Sequence, residues 1–193
     1  MKLDLVHDAQ QAYRKLLICM SRPGTIENIE TESENIDFDI SFYKGTLLNM
    51  LVLLDGEVTF NIISKNKEEV TNFVKQITFA RATTLEQADF IFILNDAPEN
   101  SLGEAFRRAK LGNLIDPHKS ATIIAEVEEL SEEKTYTLKG PGILDVCYMG
   151  IITKGTFVEE RESKNIEYPL GVDVVFIDRE DQVMCLPRTT KIL

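Results

Sequence analysis

Tryptophan is absent from this 193-residue chain, and cysteine, histidine and proline are sparse at three, two and six. Each scarcity excludes something. Cys19, Cys147 and Cys185 are odd in number and widely spaced, with no CxxC pair, which argues against a disulfide framework or a zinc knuckle. Such scattered thiolates also fail to supply the three or four clustered ligands that an iron–sulfur centre needs. His7 and His118 lie far apart, and structural or catalytic zinc draws on several close ligands, so no metal is expected. Neither a G-x-S-x-G elbow nor a G-x-x-x-x-G-K-[ST] loop occurs, so common hydrolase and P-loop chemistry is not indicated. The longest apolar run, 47–54, is interrupted by Asn49 and falls far short of the roughly 20 residues of a membrane helix. Positive charge is also scarce. With 21 basic against 32 acidic residues the net charge is −11. Such a surface repels nucleic acid and anionic membranes, both of which are bound through Lys and Arg. The stretch Met1–Asp8 turns acidic early with no apolar run behind it, unlike a secretory signal, so the cytoplasm is the expected compartment.

What remains is ordinary globular material. Apolar residues make up 44% of the chain, enough for a proper core. Leu5, Ala9, Ala12, Leu16 and Met20 recur at helical spacing, predicting a helix over 4–20 that Pro23 and Gly24 stop. The acidic stretch 27–39 reads as strand-to-loop. Helices are expected over 44–54 and 68–79, with a strand over 58–63. The continuous apolar run 89–94 has the pattern of a strand buried on both faces. Ser101 with Glu104 three residues on predicts a capping box at the start of a helix over 101–110. Strands over 121–128 and 134–139 are expected to form a hairpin turning at 131–133, and 157–165 is plausible helix. Two strands, 172–177 and 182–186, close the chain. Alternating helices and strands followed by a strand-rich region predict an α/β fold, a mixed sheet flanked by helices, in one domain spanning 1–193.

Two places invite a chemical reading. Gly140-Pro141-Gly142 follows an expected strand but lacks the third glycine of a dinucleotide turn, where Asp145 stands instead. It is either a tight turn needing glycine dihedrals or a backbone nest for an anion, with Lys139 assisting. Further on, Pro187-Arg188-Thr189-Thr190-Lys191 sets two cations and two hydroxyls after an apolar strand. Arginine offers a planar fork to phosphate or carboxylate, and the Thr189 and Thr190 hydroxyls add donors. A solvated chain end is the plain alternative. Asp173, alone in the apolar stretch 170–176, needs a partner if it is buried, and Arg188 is the candidate.

These same stretches carry a resemblance. Asp8-Ala9-Gln10, Tyr13-Arg14-Lys15-Leu16-Leu17 and Met20-Ser21-Arg22-Pro23-Gly24 come first. Leu138-Lys139-Gly140-Pro141-Gly142-Ile143 and Tyr168-Pro169-Leu170-Gly171-Val172-Asp173 follow, and Leu186-Pro187-Arg188-Thr189-Thr190 closes the series. Each is short, but their order and spacing over nearly the whole chain resemble the PhnH family, the H subunits of the bacterial carbon–phosphorus lyase system. The family's last motif often continues with histidine, where this chain has Lys191. The stretch 31–42 matches nothing in the pattern.

The resemblance implies a subunit of the transferase that joins a phosphonate to the ribose of ATP, displacing adenine and giving ribose 1-methylphosphonate 5-triphosphate. It implies a fold similar to that of pyridoxal-phosphate-dependent transferases but without their cofactor site, and a homodimer. It also implies partnership with the G, I and L subunits, and with the J subunit, the lyase that later breaks the carbon–phosphorus bond. No cofactor is expected. Substrate contact would fall on Arg188, Thr189, Thr190, Asp173, Gly140 and Gly142. The competing readings are a non-catalytic scaffold of the same complex and an unrelated small-molecule binder.

Overall fold

The structure, a computed structural model, describes residues 6–193. In chain order the first half carries α1 (His7–Ser21), β1 (Ile26–Asn28), the short α2 (Glu30–Ser33), α3 (Lys44–Leu53), β2 (Thr59–Ile63), α4 (Lys67–Thr78), β3 (Arg81–Ala82), β4 (Phe90–Ile93) and α5 (Ser101–Arg108). The second half carries β5 (Thr122–Glu126), β6 (Glu129–Lys139), β7 (Cys147–Ile152), α6 (Val158–Lys164), β8 (Asp173–Ile177), β9 (Gln182–Leu186) and β10 (Lys191–Ile192).

A mixed seven-stranded sheet runs in the order β1-β9-β8-β5-β4-β2-β3. Strands β2, β3, β4, β5 and β8 are parallel, while β9 and β1 close one edge antiparallel. Both faces of the central strands are covered, so β4 is an unbroken apolar run and β5 and β8 are apolar through their middles. On β8, Val174 and Phe176 enter one core while Val175 and Ile177 enter the other. The same alternation splits β4, with Ile91 and Ile93 on one face and Phe92 on the other. Leu16 of α1, Leu47 and Leu48 of α3, and Val70 and Val74 of α4 cover one face. The opposite face takes Phe106 of α5, Leu138 of β6, Met149 of β7 and Phe157, whose ring lies against those of Phe106 and Phe176. Among the described residues no helix is long and apolar enough to cross a membrane.

Several expectations need correction. The hairpin over 121–139 does not form: β5 lies between β4 and β8 in the large sheet, whereas β6 pairs with β7 and β10 in a separate three-stranded sheet. Ser131–Glu133, expected as a turn, lies inside β6, where the register shifts between Ser131 and Tyr136. Its charges are exposed strand positions rather than a chain reversal. The capping box fails too. Asn100, at φ 61°, precedes α5 and its side chain accepts no capping N–H, and the Ser101 hydroxyl turns back to the Pro98 carbonyl at 2.7 Å. Glu104 instead pairs with Arg108. The acidic stretch 27–39 contains α2, where Glu32 receives the Lys15 ammonium at 2.7 Å. For α1, the expected start at residue 4 lies outside the described residues.

Most apolar residues of 44–54 and 89–94 are spent in the core through α3 and β4, while Leu51, Val52, Leu53 and Phe90 are only partly buried.

The end of α4 generates a stability prediction. Phe79 takes the left-handed conformation at φ 61° with its side chain 79% exposed. An L-residue is strained there, and an exposed ring gains little from the core. Phe79→Gly is expected to stabilise the protein by about 0.5–1 kcal/mol, read as a higher urea midpoint at unchanged slope. Phe176→Ala, in the doubly covered sheet, is expected to cost about 3–5 kcal/mol.

Candidate functional site

Strand β9 leaves the large sheet and β10 joins the small one, so the turn at 187–190 links the two. It is closed by the Thr190 N–H donating to the Pro187 carbonyl at 2.9 Å. The chain end is thus an ordered strand paired with β6, Lys191 opposite Lys139, and not a solvated tail.

Arg188 projects from this turn into a dense set of acceptors. Its Nη2 donates to Asp173 Oδ2 and to the Ser120 hydroxyl, both at 2.5 Å. Nε bridges the Asp173 oxygens at 3.1 and 3.3 Å, and Nη1 donates to the carbonyls of Pro117 and Pro169 at 3.2 and 3.4 Å. The backbone N–H of 188 adds a further bond to Asp173 Oδ1 at 2.7 Å. The expected pairing of Asp173 with Arg188 is present, and it lies low in the structure, with side chains 20% and 16% exposed. A guanidinium has five N–H donors. The protein already offers acceptors to all five.

The two stretches singled out by sequence do converge. Gly140 packs so close to the turn that a Cβ there would lie 2.8 Å from the Thr189 carbonyl. Gly142, at φ 84°, faces the other way, and a Cβ would lie 2.2 Å from the Ser21 carbonyl. Only glycine tolerates both that dihedral and that contact. Gly171 lets the 168–173 stretch pass against Arg188, where a Cβ would meet the arginine's own Cβ at 2.8 Å. Four separate sequence blocks therefore form one continuous patch.

Beside the patch lies a cleft of about 820 Å³, walled by Pro141, Tyr168, Arg188, Thr189, Thr190 and Lys191 among others. Thr189 is half-buried and Lys191 exposed. Thr190 is buried, and its hydroxyl finds no hydrogen-bond partner among the described residues. Asp173 sits behind Arg188 and does not line the cleft, nor do Gly140 and Gly142.

Sequence reasoning missed Arg161. It sits on α6 between glutamates, where its surroundings read as a solvated face, yet it is wholly buried. Its Nη1 donates to the Thr190 carbonyl at 2.9 Å and to Glu162 at 2.7 Å, and Nη2 to the Pro187 carbonyl at 2.7 Å. Burial lowers its pKa, and the Glu162 charge opposes the change. Arg161 thus grips the turn from behind through its carbonyl groups, while Arg188 anchors its front.

Glu126 was missed as well. It ends β5 and accepts the backbone N–H groups of Tyr43 and Asn95, each at 2.7 Å. Burial pushes its carboxyl up to about 7, against the lowering effect of the Thr46 hydroxyl and those N–H bonds, with the Asp96 charge adding to the rise. Nothing in the surrounding acidic sequence distinguishes it from a surface carboxylate.

Two predictions follow from these pairs. Arg188→Ala leaves Asp173 without its cation and is expected to cost about 2–3 kcal/mol after allowance for partial exposure. Urea unfolding of Arg188→Ala, Asp173→Asn and the double variant should show strong coupling, and additive losses would contradict the pairing. For Glu126, the folded pKa lies above the unfolded value of roughly 4.3. The folded state then binds the extra proton between those values, so this contribution to stability is full at acid pH and is lost as pH rises through about 7. Glu126→Gln should remove that slope, on the order of 2–3 kcal/mol between pH 4.5 and 8. The reading is the difference between wild-type and variant denaturation midpoints across that range.

Comparison with known proteins bears on the same blocks. The family described as bacterial phosphonate metabolism protein (PhnH) matches residues 3–193. A relative from Rhizobium meliloti (strain 1021), named alpha-D-ribose 1-methylphosphonate 5-triphosphate synthase subunit PhnH, is 29% identical over 193 residues, covering 98% of this chain and 92% of its own. A second relative, from Stutzerimonas stutzeri and named as the C-P lyase subunit protein HtxG, is 28% identical over 185 residues, covering 95% of this chain and 85% of its own. With the match running from residue 3 to the last, through every block that meets at the 187–190 turn, the chain belongs to the PhnH family of bacterial phosphonate metabolism proteins.

Proposed function

We propose that this chain is a subunit of the carbon–phosphorus lyase system, taking part in transfer of a phosphonate to the ribose of ATP with loss of adenine. The match across 3–193 carries this reading, and the names of both relatives support it. The finer expectations travel with it: homodimerisation, assembly with G, I, J and L subunits, a cytoplasmic location, and a fold akin to the pyridoxal-phosphate-dependent transferases without their cofactor. Exposed Ile166 and Tyr168 at the rim of the cleft are apolar surface that a neighbouring subunit would cover.

Within the cleft we infer a division of labour. Arg188 and Asp173, with Gly140 and Gly142 keeping the neighbouring turn close, act as positioning residues. Thr189 and Lys191 present the donors that an anionic phosphonate or phosphate would meet, with the buried Thr190 hydroxyl beneath them. A scaffold role without substrate contact is the second reading, favoured by the acceptors that already surround the Arg188 guanidinium.

Turnover of ATP and methylphosphonate by complexes reconstituted with each variant separates the two. Under the substrate-contact reading, Thr189→Ala with Lys191→Ala lowers turnover roughly tenfold or more while assembly by size exclusion is unchanged. Arg188→Lys is expected to impair folding and activity together, since a point charge cannot replace the planar fork. Wild-type turnover by an assembled Thr189→Ala, Lys191→Ala complex would establish the scaffold role. Light scattering of the isolated chain tests the dimer, and a clean monomer at micromolar concentration counts against it.

A further inference from the structure

A second cavity opens at the C-terminal ends of β4 and β5, away from the Arg188 cleft. Open α/β sheets receive ligands at that edge. Its volume is about 170 Å³, well under the roughly 300–1,000 Å³ of sites that take drug-sized ligands. Only a small molecule fits.

The cavity's lining carries charge of both signs, Glu126 and Glu128 against Lys154 and Arg179. Glu126 lines it, half-buried, with one backbone N–H on each oxygen and the buried Thr46 hydroxyl nearby. Each oxygen keeps a further lone pair, and among the described residues Glu126 makes no ion pair with Lys or Arg. Lys154 and Arg179 line the same cavity and are exposed. Lys154 donates to the Asn95 carbonyl and Arg179 Nε to the Glu128 carbonyl at 3.2 Å, and both side chains carry further N–H donors.

We propose that this cavity binds a small zwitterion, its primary ammonium seated on Glu126 and its carboxylate or phosphonate, a short linker away, held by Lys154 and Arg179. A simple anion would enter against the Glu126 charge, and a simple amine would leave the two cations unanswered. A molecule with both ends satisfies both. The remaining ionisable groups around Glu126 are the carboxylates Asp96 and Glu128, which favour an incoming ammonium, and Tyr43, a phenol that burial and the Glu126 charge keep neutral. Because Glu126 titrates near neutrality, seating an ammonium on it displaces its proton to solvent. The inference does not rest on the phosphonate reading, since the cavity is complete within one chain.

The test uses the full chain, labelled with nitrogen-15 and titrated with glycine, β-alanine and aminomethylphosphonate, and with methylphosphonate and ethylamine as one-ended probes. The zwitterions are expected to shift the Tyr43 and Asn95 amides saturably at millimolar concentration, and the one-ended probes to do so at least about tenfold more weakly. Calorimetry at pH 7 in buffers of different ionisation enthalpy should show net proton release on binding, which Glu126→Gln removes. Preference among the carboxylate and phosphonate probes identifies the source of the anion. Glu126→Gln should abolish binding, and Arg179→Ala, an exposed change that spares folding, should weaken it about fivefold to tenfold. Unmoved Tyr43 and Asn95 amides, methylphosphonate binding as tightly as its amino counterpart, or an unaffected Arg179→Ala would each overturn the proposal.

Discussion

The bond from the buried Arg161 guanidinium to the carbonyls of Pro187 and Thr190 is the constraint on which the region around the cleft depends. A turn connecting two separate sheets has carbonyl groups directed away from either ladder, and buried carbonyls need donors. Arg161 supplies them from a helix, at full burial. Desolvating a guanidinium is costly, and removing its partners would be costlier, so the arrangement persists only as a unit. Arg188 then extends from the fixed turn in a single direction, toward Asp173, Ser120 and the carbonyls of Pro117 and Pro169. One arginine sets the turn and the other ties it to β8.

That arrangement explains why the family's sequence blocks are distant along the chain and adjacent in space. The 140–142 stretch approaches the turn because Gly140 has no side chain to hold it off, and it meets the end of α1 because Gly142 does not either. The 168–173 stretch delivers Gly171 and Asp173 to Arg188 from the other side. A larger residue at any of these glycines would push apart segments that the two guanidinium groups hold together. The blocks are thus linked by packing as well as by any chemistry at the cleft.

Much of this was legible in sequence, for identifiable reasons. The unbroken apolar run of β4 and the lone acid at the start of β8 both carry unambiguous physics: two buried faces, and a carboxylate that needs a partner. The small sheet was not legible. Strand β6 exposes Glu132, Glu133 and Lys134 in succession, so its local pattern imitates a turn and hides that the chain reverses later, over 140–146, to pair β6 with β7. Arg161 was hidden for a related reason. A helix rich in Glu, Arg and Lys looks solvated unless one knows that a carbonyl-lined turn waits beneath it. Glu126 was concealed among neighbouring acids, because its peculiarity comes from the N–H groups of Tyr43 and Asn95, which are remote in sequence.

The charge distribution gives the last step. At net −11 the chain repels polyanions at long range, but salt screens exposed charges beyond about 8 Å. Local arrangement therefore decides what can bind. Several of the chain's cations are engaged internally: Arg161 with the turn, Arg188 with Asp173, Lys15 with Glu32, Arg107 with Glu160, and Arg108 with Glu86 and Glu104. A triphosphate needs several charge-assisted donors at once, and around this cleft Lys191 is the exposed cation beside a guanidinium already supplied with acceptors. By itself the cleft thus offers fewer free donors than a triphosphate engages.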